Sequence, residues 1–467
     1  MEFLKRQHAD GKTTEERIDE ACRRILTARF RLGQFDPEEL VPFAQIPLSV
    51  IGCEKHASLA YRAAVESIVL LKNNGILPLK PDAKVAVVGN NAHLCQFGDY
   101  SGKPKNKPVS PLDGICSLAR DNVTFVSWTG IRAADQYTVI TSAYLRDPEG
   151  QPGLRGSYYG NGGFLGKCRV RTDEKIDFAW RDQMPDSFIE TQQYSIRWEG
   201  VLAPTVSGTY FLRLNYTGCA PCETPKIFLD GCELSTQSAV QMEDGKAYPI
   251  TVEYIKSAEG PSVQLAWIMP AADGEEIFAA ECRAAGEADA VIDVVGLGTE
   301  HEREGRDKDS LDLPPEQTEL LRRLREVNRN LIVVLISGSP LTVSGIHEQS
   351  AAVLEAWYPG EAGGRALADI LYGRTNSSGR LCASFPMSVA DIPAFDDYEM
   401  SYSRTYMYNT KEPLYPFGFG LSYTCFAYTD LCVNGRDVTV RVKNVGDRAG
   451  DEVVSCTWTA PVKRINR

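Results

Sequence analysis

Hydrophobic positions along this chain follow two different periods, and the change from one to the other predicts its domains. Short continuous apolar runs are typical of strands buried on both faces of a parallel sheet, and apolar residues three and four positions apart are typical of amphipathic helices. Strands that alternate with helices predict an α/β domain. The predicted strands are residues 84–89, 123–126, 290–295 and 331–336, and the predicted helices are residues 14–35, 56–73, 316–327 and 363–371.

A second pattern occupies residues 151–275. Helical periodicity is absent there, and short segments alternate between apolar and polar residues with turn residues between them, which is typical of a β-sandwich or barrel. Because the α/β pattern resumes near Phe278, we expect an all-β domain inserted into the α/β domain. The predicted strands are residues 194–200, 208–214, 226–229, 248–254 and 263–267.

A third pattern begins after Pro416. Residues 426–433, 438–442 and 453–458 alternate and predict three strands, which are too few for a stable sandwich. The predicted fold class is therefore α/β: an α/β sandwich with a parallel sheet, interrupted by an inserted all-β domain and followed by a partial β-sandwich.

Composition narrows the possible partners. The net charge of −12 argues against nucleic acid or an anionic membrane as a partner, and no apolar run approaches the roughly 18 residues of a membrane span. The first residues do not resemble a signal peptide, so we expect a cytoplasmic protein if the chain is complete. The 13 cysteines are scattered apart from Cys219 and Cys222, and neither a metal site nor a cofactor is predicted.

The strongest candidate for chemistry is the loop that follows the predicted strand 290–295. It carries Glu300, Glu302 and Glu304 among arginines and a histidine, and loops at the carboxyl ends of parallel strands are where α/β proteins place reactive groups. Residues two apart in an extended segment point the same way, so Glu302 and Glu304 are expected to face one cleft. Neighbouring carboxylates raise the pKa of one another and suit a proton donor, although a solvated acidic loop explains the same residues.

Four further segments, in order along the chain, resemble glycoside hydrolase family 3, the retaining β-glucosidases and β-xylosidases. The acidic loop matches the family's E-G-x-D-R region, with Lys308 in place of the usual arginine. The inserted β-domain resembles a protective-antigen-type, lectin-like domain, and the segment from Phe426 resembles the family's fibronectin type III-like tail. The matching segments are residues 66–79, 357–364, 379–386 and 413–423.

This resemblance implies a catalytic role and a substrate. The family's nucleophilic aspartate lies on a (β/α)₈ barrel, and the acid/base position maps onto Glu304, with Glu302 as the alternative. A β-linked oligosaccharide or an aryl or alkyl glycoside is the implied substrate, and the barrel on another chain is a possible partner. Arg306 and Asp307 are expected to form a local ion pair.

The resemblance also divides the chain into five segments and predicts a fragment of a longer protein. They are residues 1–36, the last helix of the barrel; 37–150 and 276–415, the two parts of the α/β sandwich; 151–275, the inserted β-domain; and 416–467, a truncated fibronectin type III-like domain.

Other interpretations of these residues remain open. Without the barrel, the chain is either a carbohydrate-binding module or an inactive remnant. Gly296 and Gly298 follow a strand, as in dinucleotide-binding loops, but the third glycine of that motif is missing. Trp357 and Tyr358 are expected to be structural rather than sugar-stacking, and His301 is expected to be solvated.

Overall fold

The computed structural model describes residues 2–127, 137–180, 183–220, 223–270, 278–299, 301–305, 308, 310–394, 396–401 and 404–456. The chain divides into two units, Met1–Leu59 and Ala60–Arg467. Within the described residues the helices are α1 Glu2–Ala9, α2 Glu15–Arg31, α3 Glu54–Ser67, α4 Pro111–Ala119, α5 Ala279–Glu287, α6 Pro315–Val327, α7 Ser344–Gln349, α8 Gly363–Leu371 and α9 Thr405–Tyr408.

The strands of the described residues fall into four sheets. In chain order they are β1 Val69–Asn73, β2 Val85–Val88, β3 Val123–Phe125, β4 Thr138–Val139, β5 Leu145–Arg146, β6 Leu154–Tyr159, β7 Cys168–Asp173, β8 Asp177–Ala179, β9 Tyr194–Leu202, β10 Gly208–Thr217, β11 Lys226–Leu229, β12 Cys232–Leu234, β13 Gln237–Met242, β14 Tyr248–Lys256, β15 Ser262–Ile268, β16 Ala290–Gly296, β17 Leu331–Ile336, β18 Ala352–Glu355, β19 Phe426–Asn434 and β20 Asp437–Asn444.

The amino-terminal unit contains the predicted amphipathic helix. In α2 the Thr14 hydroxyl accepts a hydrogen bond from the Arg17 N–H, as an N-cap does, and Gly33 adopts φ +72° just beyond the helix. The apolar side chains of Ile25, Leu26 and Phe30 are exposed, and no residue of α2 is buried. The predicted helix is therefore present, with these apolar side chains exposed.

The central sheet has six strands in the order β1-β18-β17-β16-β2-β3. All neighbours pair in parallel except β1, which runs antiparallel to β18. Successive residues of a strand point to opposite faces. Val291 and Val295 therefore pack with α5 and α6 on one face, while Ile292 and Val294 pack with α3, α4 and α8 on the other. Both faces are covered, which explains the continuous apolar runs in the sequence.

The prediction of a helix over residues 56–73 was wrong for its last six residues. Helix α3 ends at Ser67, and Val69–Asn73 form the edge strand β1. Leu70 and Leu71 fit a helical face and a buried strand equally well, so periodicity did not separate the two. Residues 69–73 form a strand because they pair with β18.

Residues 138–268 form two sheets of antiparallel strands, which we call the β-region. One sheet has the order β13-β10-β15-β4 with β8 beside β15, and the other has the order β12-β11-β14-β9-β6-β7 with β5 beside β9. The five strands predicted from alternation are all present. Their inward side chains form a core of their own around Trp198 and Trp267.

The last described strands, β19 and β20, form an antiparallel hairpin whose side chains are mostly exposed. The third strand predicted over residues 453–458 was wrong for residues 453–456, which have no regular structure; residues 457 and 458 lie outside the described residues. The mixed α/β class is confirmed. Among the described residues no helix combines the length and the apolar character that crossing a membrane requires.

Candidate active site

The candidate site lies where three adjacent parallel strands end. Strand β16 ends at Gly296 and leads into the acidic loop, residues 297–305. Its neighbour β17 leads into Ser337–Ser339, and β18 ends at Glu355, shortly before Tyr358. Because the carboxyl ends of parallel strands lie at one edge of a sheet, the three connections meet there. Gly296 is required at the exit, since a Cβ atom would lie 1.9 Å from the carbonyl oxygen of Ile336.

Glu302 is held by four hydrogen bonds at this edge. Its Oε1 accepts from the Tyr358 hydroxyl at 2.6 Å and from the Gly338 N–H. Its Oε2 accepts from the Ser339 hydroxyl at 2.9 Å and from the Lys308 ammonium at 3.1 Å. The side chain is only 12% exposed. A carboxylate accepting four donors, one of them charged, has little freedom to move.

These donors determine the charge of Glu302. Burial raises the pKa of this carboxyl, but the hydrogen bonds from Tyr358 and Gly338 and the charge of Lys308 outweigh burial and hold its pKa below the usual value. Glu302 is therefore an anion at neutral pH. A general acid must carry a proton near the operating pH, so this environment opposes that role.

Glu304, two residues later, has the opposite environment. Its side chain is exposed, and within the part of the chain that the structure describes it has no hydrogen bond or ion pair. The loop is not extended here, because the backbone N–H groups of His301 and Glu302 both donate to the Gly298 carbonyl and Gly305 adopts φ +73°. Glu302 is bound at the sheet edge whereas Glu304 is exposed, so the two side chains have different surroundings.

A second carboxyl, that of Glu355, lies near Glu302 at the same edge of the sheet. Glu355 is fully buried and accepts hydrogen bonds from the Trp357 N–H at 2.8 Å and the Ser337 hydroxyl at 3.4 Å. Burial raises the pKa of Glu355 well above the usual value, and the nearby Glu302 carboxylate raises it further. The raised pKa favours the neutral form of Glu355, which adds no charge that would repel Glu302.

His301 is not simply solvated, contrary to expectation. Its Nε2 lies 3.0 Å from the Nη2 of Arg213, which is on β10 and almost fully buried. The guanidinium lies 5.0 Å from the centre of the Tyr137 ring, and the Tyr137 hydroxyl donates to Glu316 on α6 at 3.2 Å. The acidic loop is thus in contact with the β-region as well as with the sheet.

Several expected features lie outside the described residues or involve other groups. Glu300, Arg306 and Asp307 are not described, so the predicted ion pair is not addressed. No group of three or more histidine, cysteine or acidic residues among the described residues is arranged to hold a metal ion. Trp357 packs against the core and lies near Phe385, in keeping with a structural role, whereas Tyr358 contacts Glu302 directly.

Two of the four groups that anchor Glu302, the Gly338 N–H and the Ser339 hydroxyl, were not predicted from the sequence. Ser337 and Ser339 follow a buried strand in the same way as the acidic loop does, and this position was the available signal. Arg213 carried a weaker signal: it is a charged residue within the run Tyr210–Leu214, otherwise apolar.

The sequence profile described as the glycosyl hydrolase family 3 C-terminal domain matches residues 68–423. A probable beta-glucosidase I from Aspergillus clavatus is 28% identical over 523 residues, covering 98% of this chain and 60% of the relative. A xylan 1,4-beta-xylosidase from Xylanibacter ruminicola is 29% identical over 500 residues, covering 95% of this chain and 54% of the relative. This chain therefore spans a little over half the length of the curated relatives it matches.

Solved structures also resemble this chain over about half of their own length. A beta-glucosidase from Streptomyces venezuelae, in complex with D-glucose, superposes with a TM-score of 0.59 at 24% identity, covering 96% of this chain and 55% of that one. A beta-glucosidase from Kluyveromyces marxianus, in complex with glucose, gives a TM-score of 0.51 at 26% identity, covering 85% of this chain and 52% of that one.

Proposed function

The chain belongs to glycosyl hydrolase family 3, and from that premise we propose that it supplies the acid/base carboxyl of a retaining, exo-acting β-glycosidase. Glu304 is the proposed acid/base residue. The observation that carries this assignment is the contrast between the two glutamates of the loop. Glu302 is anchored as an anion by four donors, while Glu304 projects from the same loop with an exposed carboxyl.

Glu304 has two tasks in this proposal. It first protonates the glycosidic oxygen of the leaving group while a nucleophile on the other side of the sugar forms a glycosyl-enzyme. The resulting carboxylate then removes a proton from the water that breaks this intermediate. Both tasks need a carboxyl that can gain and lose a proton in contact with substrate, which an exposed side chain allows.

Glu302 acts in the proposal as a positioning residue. It connects the acidic loop to Ser337–Ser339, to Tyr358 and to Lys308, so the backbone that carries Glu304 starts from a fixed point. Rigid support of this kind matters because misplacing a catalytic group by about 1 Å costs on the order of 100-fold in rate.

The nucleophile is proposed to belong to a (β/α)₈ barrel of the kind that the family resemblance implies. Retaining hydrolysis places its two carboxyl groups about 5–5.5 Å apart, so the barrel must meet the acidic loop in one cleft. This chain spans 60% of the Aspergillus clavatus relative and 54% of the Xylanibacter ruminicola relative, which leaves room in those proteins for a further domain.

A β-linked glucoside or xyloside is the proposed substrate class. The relatives named above are a probable beta-glucosidase and a xylan beta-xylosidase, at almost equal identity to this chain. We also propose that the β-region is a protective-antigen-type, lectin-like domain and that the hairpin of β19 and β20 belongs to a fibronectin type III-like domain. Both assignments rest on the sequence resemblance.

A complementation assay tests the function. The purified chain is mixed with a separately expressed barrel of a family member that carries the nucleophile, and the release of nitrophenol from nitrophenyl β-glucoside and β-xyloside is followed. We expect turnover in the mixture and none with either part alone. The preferred glycoside identifies the substrate.

The control for this assay is association measured separately, for example by analytical ultracentrifugation. A mixture that associates but releases no nitrophenol contradicts the proposed function and favours a carbohydrate-binding module or an inactive remnant. Turnover by the isolated chain, abolished by Glu304→Gln, would contradict the assignment of the nucleophile to a separate barrel.

A further inference from the structure

We propose that Arg213 of the β-region is a positioning residue for the acidic loop, which it holds through His301. The contact joins two parts of the fold that have cores of their own: the β-region around Trp198 and Trp267, and the α/β sandwich around the central sheet. Any effect of Arg213 on a reaction rests on the proposed function, whereas its contact with the acidic loop through His301 does not.

The alternation of β10 places Arg213 at the boundary between these two cores. Tyr210, Leu212 and Leu214 point into the core of the β-region. Phe211 points the other way and is part of the core shared with α5 and α6. Arg213 follows Phe211 by two residues and therefore lies on that same outward face.

The neighbouring strand leaves space for the guanidinium. Arg213 pairs with Ala266 of β15, a small residue, in the antiparallel register of the two strands. The Tyr137 ring lies 5.0 Å from the guanidinium carbon and supplies a π face for the cation. A long cationic side chain can thus lie buried across the boundary and reach the acidic loop.

The chemistry of the pair determines which atom donates. Arginine has only donors and does not lose its proton, so Nη2 donates and the Nε2 of His301 accepts at 3.0 Å. The imidazole proton must then be on Nδ1. This hydrogen bond restricts the orientation of the His301 ring, and His301 directly precedes Glu302.

A buried carboxyl lies near the Arg213 cation. Glu316 of α6 is almost fully buried and accepts a hydrogen bond from the Tyr137 hydroxyl at 3.2 Å. Burial raises the pKa of Glu316, and the positive charge of Arg213 opposes that rise. Buried cations are rare unless acidic or aromatic groups surround them, so the group Arg213, Tyr137, Glu316 and His301 behaves as one polar cluster.

The consequence is that the acidic loop is held at two consecutive residues by two different parts of the chain. The sheet edge holds Glu302, and the β-region holds His301. Anything that displaces the β-region, such as a sugar bound to it, would therefore alter the backbone on which Glu304 lies.

Hydrogen exchange on the full chain tests the hold directly. We expect Arg213→Met to increase exchange in the peptide covering residues 297–305 at least fivefold. Methionine fills similar space, but removing one member of a buried charged group is destabilising, so circular dichroism first checks that the variant is folded. The matched control is Arg197→Met, which removes an arginine that pairs with Glu253 within the β-region.

Two results would overturn the inference: exchange at the loop unchanged by Arg213→Met, or raised equally by Arg197→Met. If Arg213→Met does not fold, the ring tautomer of His301 in the unaltered chain, read from its ¹⁵N chemical shifts, decides instead. We expect the proton on Nδ1, and a proton on Nε2 contradicts the hold.

The exchange measurement needs no substrate, so it separates this inference from the proposed function. In an active mixture with the barrel, Arg213→Met is expected to lower kcat while leaving KM within twofold, and Arg213→Lys to recover part of the loss. If Arg213→Met raises exchange in the acidic loop but the mixture with the barrel never becomes active, the contact between Arg213 and His301 is supported. The same result counts against the proposed function.

Discussion

Two consecutive parts of the acidic loop, which we call its inner half (His301 and Glu302) and its outer half (residues 303–305), differ in burial and in contacts. The inner half, His301 and Glu302, is half-buried and bound to the sheet edge and to the β-region. The outer half, residues 303–305, is exposed. Two glutamates of one chemical type therefore lie two positions apart with opposite surroundings, and we assign support to one and chemistry to the other.

A second comparison shows that burial alone does not determine the charge of a carboxyl. Glu302 and Glu355 are close together at the same sheet edge, yet the pKa of Glu302 is lowered and that of Glu355 is raised. Glu302 has a lysine and three other donors, whereas Glu355 accepts from one backbone N–H and one serine. The number and charge of the donors decide the direction.

The largest expected effect is on activity, and it distinguishes Glu304 of the outer half from Glu302 of the inner half. In the mixture with a barrel, Glu304→Gln should lower hydrolysis of nitrophenyl glycosides by about 100- to 10,000-fold, because general acid catalysis is lost. The loss should be smaller for a dinitrophenyl glycoside, whose leaving group needs less protonation. Steady-state rates with the two substrates provide the measurement.

Glu302→Gln is the control for this prediction. It should lower the rates of both substrates by a similar factor, since Glu302 positions the loop and does not transfer a proton. A dependence on the leaving group that follows Glu302→Gln instead of Glu304→Gln would reverse the assignment of the two residues.

The next effect distinguishes the halves by stability. Glu302→Ala leaves Lys308, Tyr358, Ser339 and the Gly338 N–H without their common acceptor, so we expect the free energy of unfolding to fall by about 3 kcal/mol. Urea unfolding followed by tryptophan fluorescence measures it. Glu304→Ala should leave the unfolding curve unchanged, and an equal loss in both variants would refute the anchoring role of Glu302.

The pH dependence of the unfolding free energy distinguishes Glu302 from Glu355. The folded pKa of Glu302 lies below the value of about 4.3 for an unfolded glutamate, so ionised Glu302 stabilises the fold above that pH. This stabilisation is lost as pH falls through the folded pKa. The stability difference between the unaltered chain and Glu302→Gln should therefore be constant from pH 6 to 8 and shrink below about pH 4.

Glu355→Gln is expected to show the opposite trend. The folded pKa of Glu355 is raised, so the cost of keeping it neutral grows as pH rises above about 4.3 towards that folded pKa. The variant, which cannot ionise, should gain stability relative to the unaltered chain over this range. Parallel pH trends for the two variants would show that the donors do not set the two charges differently.

The smallest effect comes from removing one donor. Ser339→Ala deletes a hydroxyl that donates to the Glu302 carboxylate and accepts from Lys308, and it leaves the other three donors of Glu302 in place. A loss of about 1.5 kcal/mol in unfolding free energy is therefore expected. Ser187→Ala, at an exposed position in the β-region, is the control and should change nothing measurable. A loss as large as that of Glu302→Ala would mean that the four donors act as a single unit.

Much of the fold was predictable because local pattern and burial agreed. The run Leu331–Ile336 is a fully buried parallel strand, and β14 shows the alternation of a strand with one covered face. Residues 69–73 were not predictable as a strand, because a short apolar run suits a helix and a strand alike and only pairing with β18 distinguishes them.

The candidate site was predictable only in part. Three carboxylates after a buried strand marked the acidic loop, but the partners of Glu302 come from residues 36 to 56 positions away in sequence, apart from Lys308. No local pattern encodes such contacts. Arg213, which contacts His301 across 88 positions, illustrates the same limit.

The sequence by itself determined four of the six strands of the central sheet, five strands of the β-region and the position of the acidic loop, because these follow from local periodicity and from where polar residues interrupt it. Only the tertiary structure decided which glutamate is anchored and which is exposed. That choice depends on the donors that Ser339, Tyr358 and Lys308 bring together at one sheet edge. The charge of a carboxyl depends on the three-dimensional arrangement of groups around it, and chain order does not specify that arrangement.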